Sequence, residues 1–99
     1  MRYRFESQVR RWEARVRDDW FFVELPVDAS AEIHEWADAR PRSGFGAVKV
    51  VARLGGTSWS TSIFPTGSGA YSLVVNGRVR RAEGVEPGEI VVAEVEIVG

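Results

Sequence analysis

Residues 44–65 read GFGAVKVVARLGGTSWSTSIFP, and the Gly55-Gly56 pair at their centre decides the fold. A diglycine between two alternating runs signals a two-residue β-hairpin with a type I′ or II′ turn. Such a turn sets the register, so Leu54 opposes Thr57, Ala52 opposes Trp59, Val50 opposes Thr61 and Val48 opposes Ile63. These eight residues share one face and are mostly apolar, as a core face is. The other face pairs Arg53 with Ser58, Val51 with Ser60 and Lys49 with Ser62. Turn chemistry and polarity pattern are independent signals, and here they agree.

Toward the N-terminus the same period of two recurs. From Arg2 to Glu13, Tyr3, Phe5, Ser7 and Val9 alternate with Arg4, Glu6, Gln8 and Arg10, the pattern of a half-buried strand. Arg17-Asp18-Asp19 supplies a turn, and Trp20–Leu25 is a second strand, stopped by Pro26, which has no N–H for a ladder. The period then changes. Asp28 reads as an N-cap, Ala29, Ile33, Trp36 and Ala37 form one helical stripe, and Glu32, Glu35 and Asp38 face outward. Trp36 reads as the plug that seats this helix on the sheet, and Arg40-Pro41 ends it.

Toward the C-terminus, Thr66–Gly69 is a loop and Ala70–Val75 a further strand. Asn76-Gly77 fits either a hairpin turn or the cap of a short helix holding Val79 and Ala82. The Gly84-Val85 pair favours the helix, as a left-handed C-cap with its hydrophobic contact. Pro87-Gly88 turns the chain into a last strand that buries Val91, Ala93, Val95 and Ile97. The expected fold is mainly β, a small six-stranded closed or nearly closed barrel. It carries one short acidic helix over about residues 28–39 and a second helical turn over about residues 77–83. Closure hides the strand edges that an open sheet of this size would expose.

Ninety-nine residues, 44% of them hydrophobic and 27% charged, make one ordinary globular domain spanning residues 1–99. Without cysteine, thiolate catalysis, disulfides and sulfur-ligated zinc are excluded, and a single histidine leaves no multi-histidine metal site. No cofactor is expected. The start, MRYRFESQVRRW, lacks a signal-peptide core, and no run approaches the ~20 apolar residues of a membrane span, so a cytoplasmic protein is expected. The formal charge of −1 is blocked along the chain: +4 over residues 1–17, −7 over 18–39, +7 over 40–81 and −5 over 82–99. Either basic strands lie beside acidic ones and cancel in space, or a basic face stays uncompensated for an anionic partner.

The ordered set W-x-F-V-x-L-P from Trp20, R-x-G-F-G-x-V-x-V from Arg42, G-G-x-x-W-x-T-S-I-F-P from Gly55, G-x-Y-x-L-x-V from Gly69 and V-R-x-A-x-G-V from Val79 covers most of the chain. It resembles the bacterial domain-of-unknown-function family numbered nineteen-oh-five. The resemblance implies the six-stranded barrel and brings no settled activity and no catalytic residues.

The residues themselves carry no catalytic set. His34, between Glu32 and Glu35, reads as a solvent-facing histidine among acids, because adjacent helix residues point in different directions. Gly67-Ser68-Gly69 lacks the Lys-Ser/Thr and helix of a phosphate loop and reads as a turn. The serines from Ser58 to Ser62 lack a nucleophile elbow. What remains is an anion-binding patch: Arg42, Lys49, Arg53, Ser58, Ser60, Ser62 and Arg80, with Glu94 and Glu96 of the last strand as its competitors. Guanidinium and hydroxyl groups together suit phosphate or carboxylate. The expected function is a non-catalytic binding module for a small ligand in the barrel mouth, with an anion as one candidate, or for a protein partner. Trp12, Trp20 and Phe22 are candidates for a contact surface, and the protein is expected as a monomer or weak dimer. The alternative is a nucleic-acid-binding regulator, since residues 79–93, a short helix feeding a strand after the Pro87-Gly88 turn, resemble swapped-hairpin transcription factors. The net charge of −1 argues against that.

Overall fold

The computed structural model describes residues 1–11, 20–40 and 46–98. Its elements in chain order are β1 (Arg2–Gln8), β2 (Arg10–Arg11), β3 (Phe21–Glu24), α1 (Val27–Asp38), β4 (Val48–Leu54), β5 (Thr57–Pro65), β6 (Tyr71–Val75), α2 (Gly77–Glu83) and β7 (Ile90–Ile97). The turn expected at Arg17-Asp18-Asp19, the end of the first strand at Glu13, and Pro41 lie outside the described residues.

β4 and β5 pair as the diglycine requires: Leu54 with Thr57, Ala52 with Trp59, Val50 with Thr61, Val48 with Ile63. Gly55 has φ 59°, a left-handed conformation at the first turn residue as a II′ turn demands. The sheet order is β1-β7-β4-β5-β6-β3-β2, with every pairing antiparallel. Its two ends, β1 and β2, are separated only by Val9, so the sheet closes on itself through one bent strand. Val9 is buried; its N–H donates to the Glu89 carbonyl at 2.8 Å and its carbonyl accepts from Gly88 at 2.7 Å. The six strands expected become seven because this bend divides the first. Closure is nearly complete. β6 meets only Ile63–Pro65 of β5, and then gives way to α2, which lies against β5 and covers its remaining edge.

Inward side chains fill the barrel: Phe5, Val9, Phe21, Val23, Val50, Ala52, Trp59, Ile63, Leu73, Val75 and Val95 are all buried in one core. The helices plug its two ends. α1 starts one residue earlier than expected, with Pro26 at the cap position; Asp28 sits in the first turn and accepts from the Ala29 N–H at 2.8 Å rather than capping. Of the apolar stripe, Ala29 and Ile33 are buried, while Trp36 and Ala37 are half-buried against the core. The deep position beside Ile33 goes to Ser30, whose hydroxyl accepts from the Tyr71 N–H at 3.0 Å. At the other end α2 forms as read. Asn76 Oδ1 accepts from the Val79 N–H at 3.0 Å, Val79 is fully buried, and Gly84 closes the helix at φ 64°. Among the described residues no helix is long and apolar enough to cross a membrane.

Candidate functional site

The alternation that turns Val48, Val50, Ala52 and Leu54 into the core turns Lys49, Val51 and Arg53 outward. On β5 the outward residues beside them are Ser62, Ser60 and Ser58, in the pairing Lys49 with Ser62, Val51 with Ser60 and Arg53 with Ser58. Arg53 Nε donates to Ser58 Oγ at 3.2 Å, which holds the guanidinium over its own row. Lys49 and Arg53 are four residues apart on one strand, so their Cα atoms are separated by roughly 13 Å.

The charges on the neighbouring strand decide how much of this basic character survives. β7 lies between β1 and β4, and its Glu94 stands opposite Arg4 on one side and Arg53 on the other. Glu96 stands likewise between Arg2 and Val51. The acidic strand is therefore interleaved with basic ones, but the side chains do not share evenly. Arg2 takes both acids, with Nε 3.7 Å from Glu94 and a terminal nitrogen 3.4 Å from Glu96. Lys49 and Arg53 form no ion pair with any described carboxylate. Two exposed cations thus face solvent beside a row of hydroxyls.

Arg80 is not part of this face. Its guanidinium lies over the Phe21 ring at 3.4 Å from the centroid, closing the barrel end beneath α2, and its Nε is buried without a hydrogen-bond partner among the described residues. Five of the seven expected patch residues come together: Lys49, Arg53, Ser58, Ser60 and Ser62. Arg42 lies outside the described residues, as does Trp12. Trp20 is exposed and Phe22 half-buried. The sequence reading places Val51 on the outer face but leaves it, and Phe64, out of the patch. Val51 is 37% exposed between the two cations, and Phe64 is 42% exposed one outward position beyond Ser62. The alternation that names the outward residues already contained both, but their hydrophobicity hid them.

At the α1 end, His34 is not solvent-facing. It is half-buried, with Nδ1 3.3 Å from the Tyr71 hydroxyl and the two rings 4.5 Å apart. Helical geometry set Glu32 and Glu35 away from it, and the helix packs on the barrel closely enough that the residue after Ile33 meets Tyr71. Nearby, the Tyr3 hydroxyl donates to Glu32 at 2.8 Å. Burial, then that hydrogen bond and the negative charge of Glu32, push the Tyr3 phenol from 10.0 up to about 12. Trp36 carries the Arg40 guanidinium 4.0 Å above its ring, and Arg40 also donates to the Trp36 carbonyl at 2.9 Å. The 66–69 loop is a hydrogen-bonded turn, in which Gly69 donates to the Thr66 carbonyl at 3.1 Å and the Thr66 hydroxyl to that of Ala70 at 2.8 Å.

The family model described as a domain of unknown function, DUF1905, matches residues 5–95, nearly the whole chain, so the chain belongs to that family. No curated protein matches it.

Proposed function

Taking membership in a family without an assigned activity as the premise, we propose that this chain is a non-catalytic binding module whose β4–β5 outer face engages an anionic partner. One observation carries this reading: Glu94 stands in register with Arg53, yet its carboxylate is held by Arg2, and neither Lys49 nor Arg53 forms an ion pair with a described carboxylate. The filled interior and the helices at both ends support an outer surface over the barrel mouth as the place of binding. The hydroxyls of Ser58, Ser60 and Ser62 add neutral donors next to the cations, the combination that carboxylate and phosphate oxygens accept from.

The test is a titration of the ¹⁵N-labelled protein with inorganic pyrophosphate and with an oligo-glutamate peptide, followed by amide shifts. Shifts confined to residues 49–53 and 58–62, weakening with added salt and lost in the Lys49→Ala, Arg53→Ala double variant, are expected. No shift on this face with either anion, or shifts only elsewhere, overturns the proposal.

A further inference from the structure

We infer that the partner of this face is an extended protein segment bearing two carboxylates four residues apart with an apolar residue midway between them. The inference rests on the anionic-partner reading and names the chemistry of that partner. The cations are two separate points. Arg53 is tethered across the hairpin to Ser58 rather than lying along β4 toward Lys49, so one small anion does not gather both. Between them stands Val51, 37% exposed, an apolar surface that an inorganic or fully charged ligand would leave dehydrated for no return. Cation, valine and cation recur with period two along β4. An extended chain presents its own side chains to one face with that same period and a matching rise of about 3.3 Å per residue. An α-helix with acids at i and i+8 spans roughly 12 Å but turns them about 80° apart around its axis, whereas an extended chain keeps all three side chains on one face. Past Ser62, Phe64 is 42% exposed and extends the apolar contact for a longer segment.

A nucleic acid fits less well. Glu94 and Glu96 lie on the adjacent strand, about 4.8 Å away. A continuous phosphate backbone would run against both, whereas a peptide brings an acid near only Glu94, beside Arg53, where Arg2 already holds the Glu94 carboxylate.

The experiment uses three probes on the intact chain, read by anisotropy and by amide shifts: a blocked peptide centred on Glu-Thr-Val-Thr-Glu, its permutation Glu-Glu-Val-Thr-Thr, and a single-stranded oligonucleotide. The spaced peptide is expected to bind about fivefold or more tightly than the permuted one, the worth of one exposed ion pair. A Lys49→Glu, Arg53→Glu variant is expected to lose it and to gain a Lys-Thr-Val-Thr-Lys peptide instead. Both positions are exposed, so the exchange leaves the core untouched. Equal binding of the spaced and permuted peptides, with shifts still on β4 and β5, overturns the inference and leaves the anionic-face reading standing. Tighter binding of the oligonucleotide at this face also overturns it. No shift on this face with any probe overturns both.

Discussion

Trp59→Ala is the sharpest measure of whether the diglycine register builds the core. Trp59 is 7% exposed, faces inward opposite Ala52, and fills the part of the barrel that β6 does not reach. A buried aromatic of this size removes about 150–250 Å² from water, which at 25 cal/mol/Å² is roughly 4–6 kcal/mol as an upper bound. Truncation to alanine forfeits most of that and leaves a cavity, and measured Trp→Ala losses run about 3–5 kcal/mol. One feature pulls the value down. The indole Nε1 is buried and has no hydrogen-bond partner among the described residues, a penalty of about 1–3 kcal/mol that the substitution removes. The expected loss is therefore about 2 kcal/mol, below that range. Trp59→Phe, which keeps a ring and drops the orphan N–H, is expected to cost about 1 kcal/mol or less. Urea denaturation followed by far-ultraviolet circular dichroism measures both, with the midpoint shifting and the slope unchanged. A loss under about 1 kcal/mol for Trp59→Ala refutes the packing argument. A phenylalanine variant as damaged as the alanine one refutes the argument from the unpaired N–H.

Gly55→Ala is expected to cost about 2 kcal/mol, because alanine is strained at φ 59° and its Cβ would overlap the Glu83 carboxylate that receives the Gly56 N–H and the Thr57 hydroxyl. Gly56→Ala, with nothing near the added carbon, is the near-neutral comparison in the same urea experiment. Asn76→Ala is expected to lose about 1 kcal/mol and to speed hydrogen exchange in α2, while Asn76→Asp keeps the acceptor for the Val79 N–H and most of the stability. Tyr3→Phe changes the alkaline limb of the stability curve. The phenol of the folded chain titrates near 12 against 10.0 for the ordinary group, so its contribution is complete below pH 10 and is lost as pH rises toward 12. The gap between wild type and Tyr3→Phe is expected to narrow over that window; a widening gap would contradict the assigned environment.

Most of the barrel could be read from local chemistry. Gly55-Gly56 specified seven cross-strand pairs because a two-residue turn admits only one alternation. Asn76 and Gly84 bounded α2 because side-chain acceptance at one end and a positive φ at the other are single-residue properties. What escaped were outcomes of packing between distant segments. His34 was misplaced because nothing local says that α1 lies against Tyr71, which is 37 residues away. Arg80 was assigned to the anion patch by its place in a run of arginines, when the ring of Phe21 takes it. Asp28 suits a cap by its type, but Pro26, with its φ of −58°, takes the cap position two residues sooner. The split of the first strand at Val9 depends on Gly88 and Glu89 at the far end of the chain.

The same kind of long-range arrangement sets the charge of the outer face. Summed along the sequence, the acids of β7 suffice to neutralise Lys49 and Arg53, and the strand order does bring them alongside. Neighbouring strands are not equivalent neighbours, though. Arg2 pairs directly opposite Glu96 and reaches diagonally to Glu94, so one side chain occupies both carboxylates. Across the other flank, Arg53 is already engaged by Ser58, and Lys49 stands one row beyond Glu96, with no acid in register. The basic face therefore owes its charge less to its own cations than to the N-terminal strand, which withdraws the acids from them. The bend at Val9 closes the barrel by joining two pairings, β1 on β7 and β2 on β3, and the first of these is also the one that draws the acids away from that face.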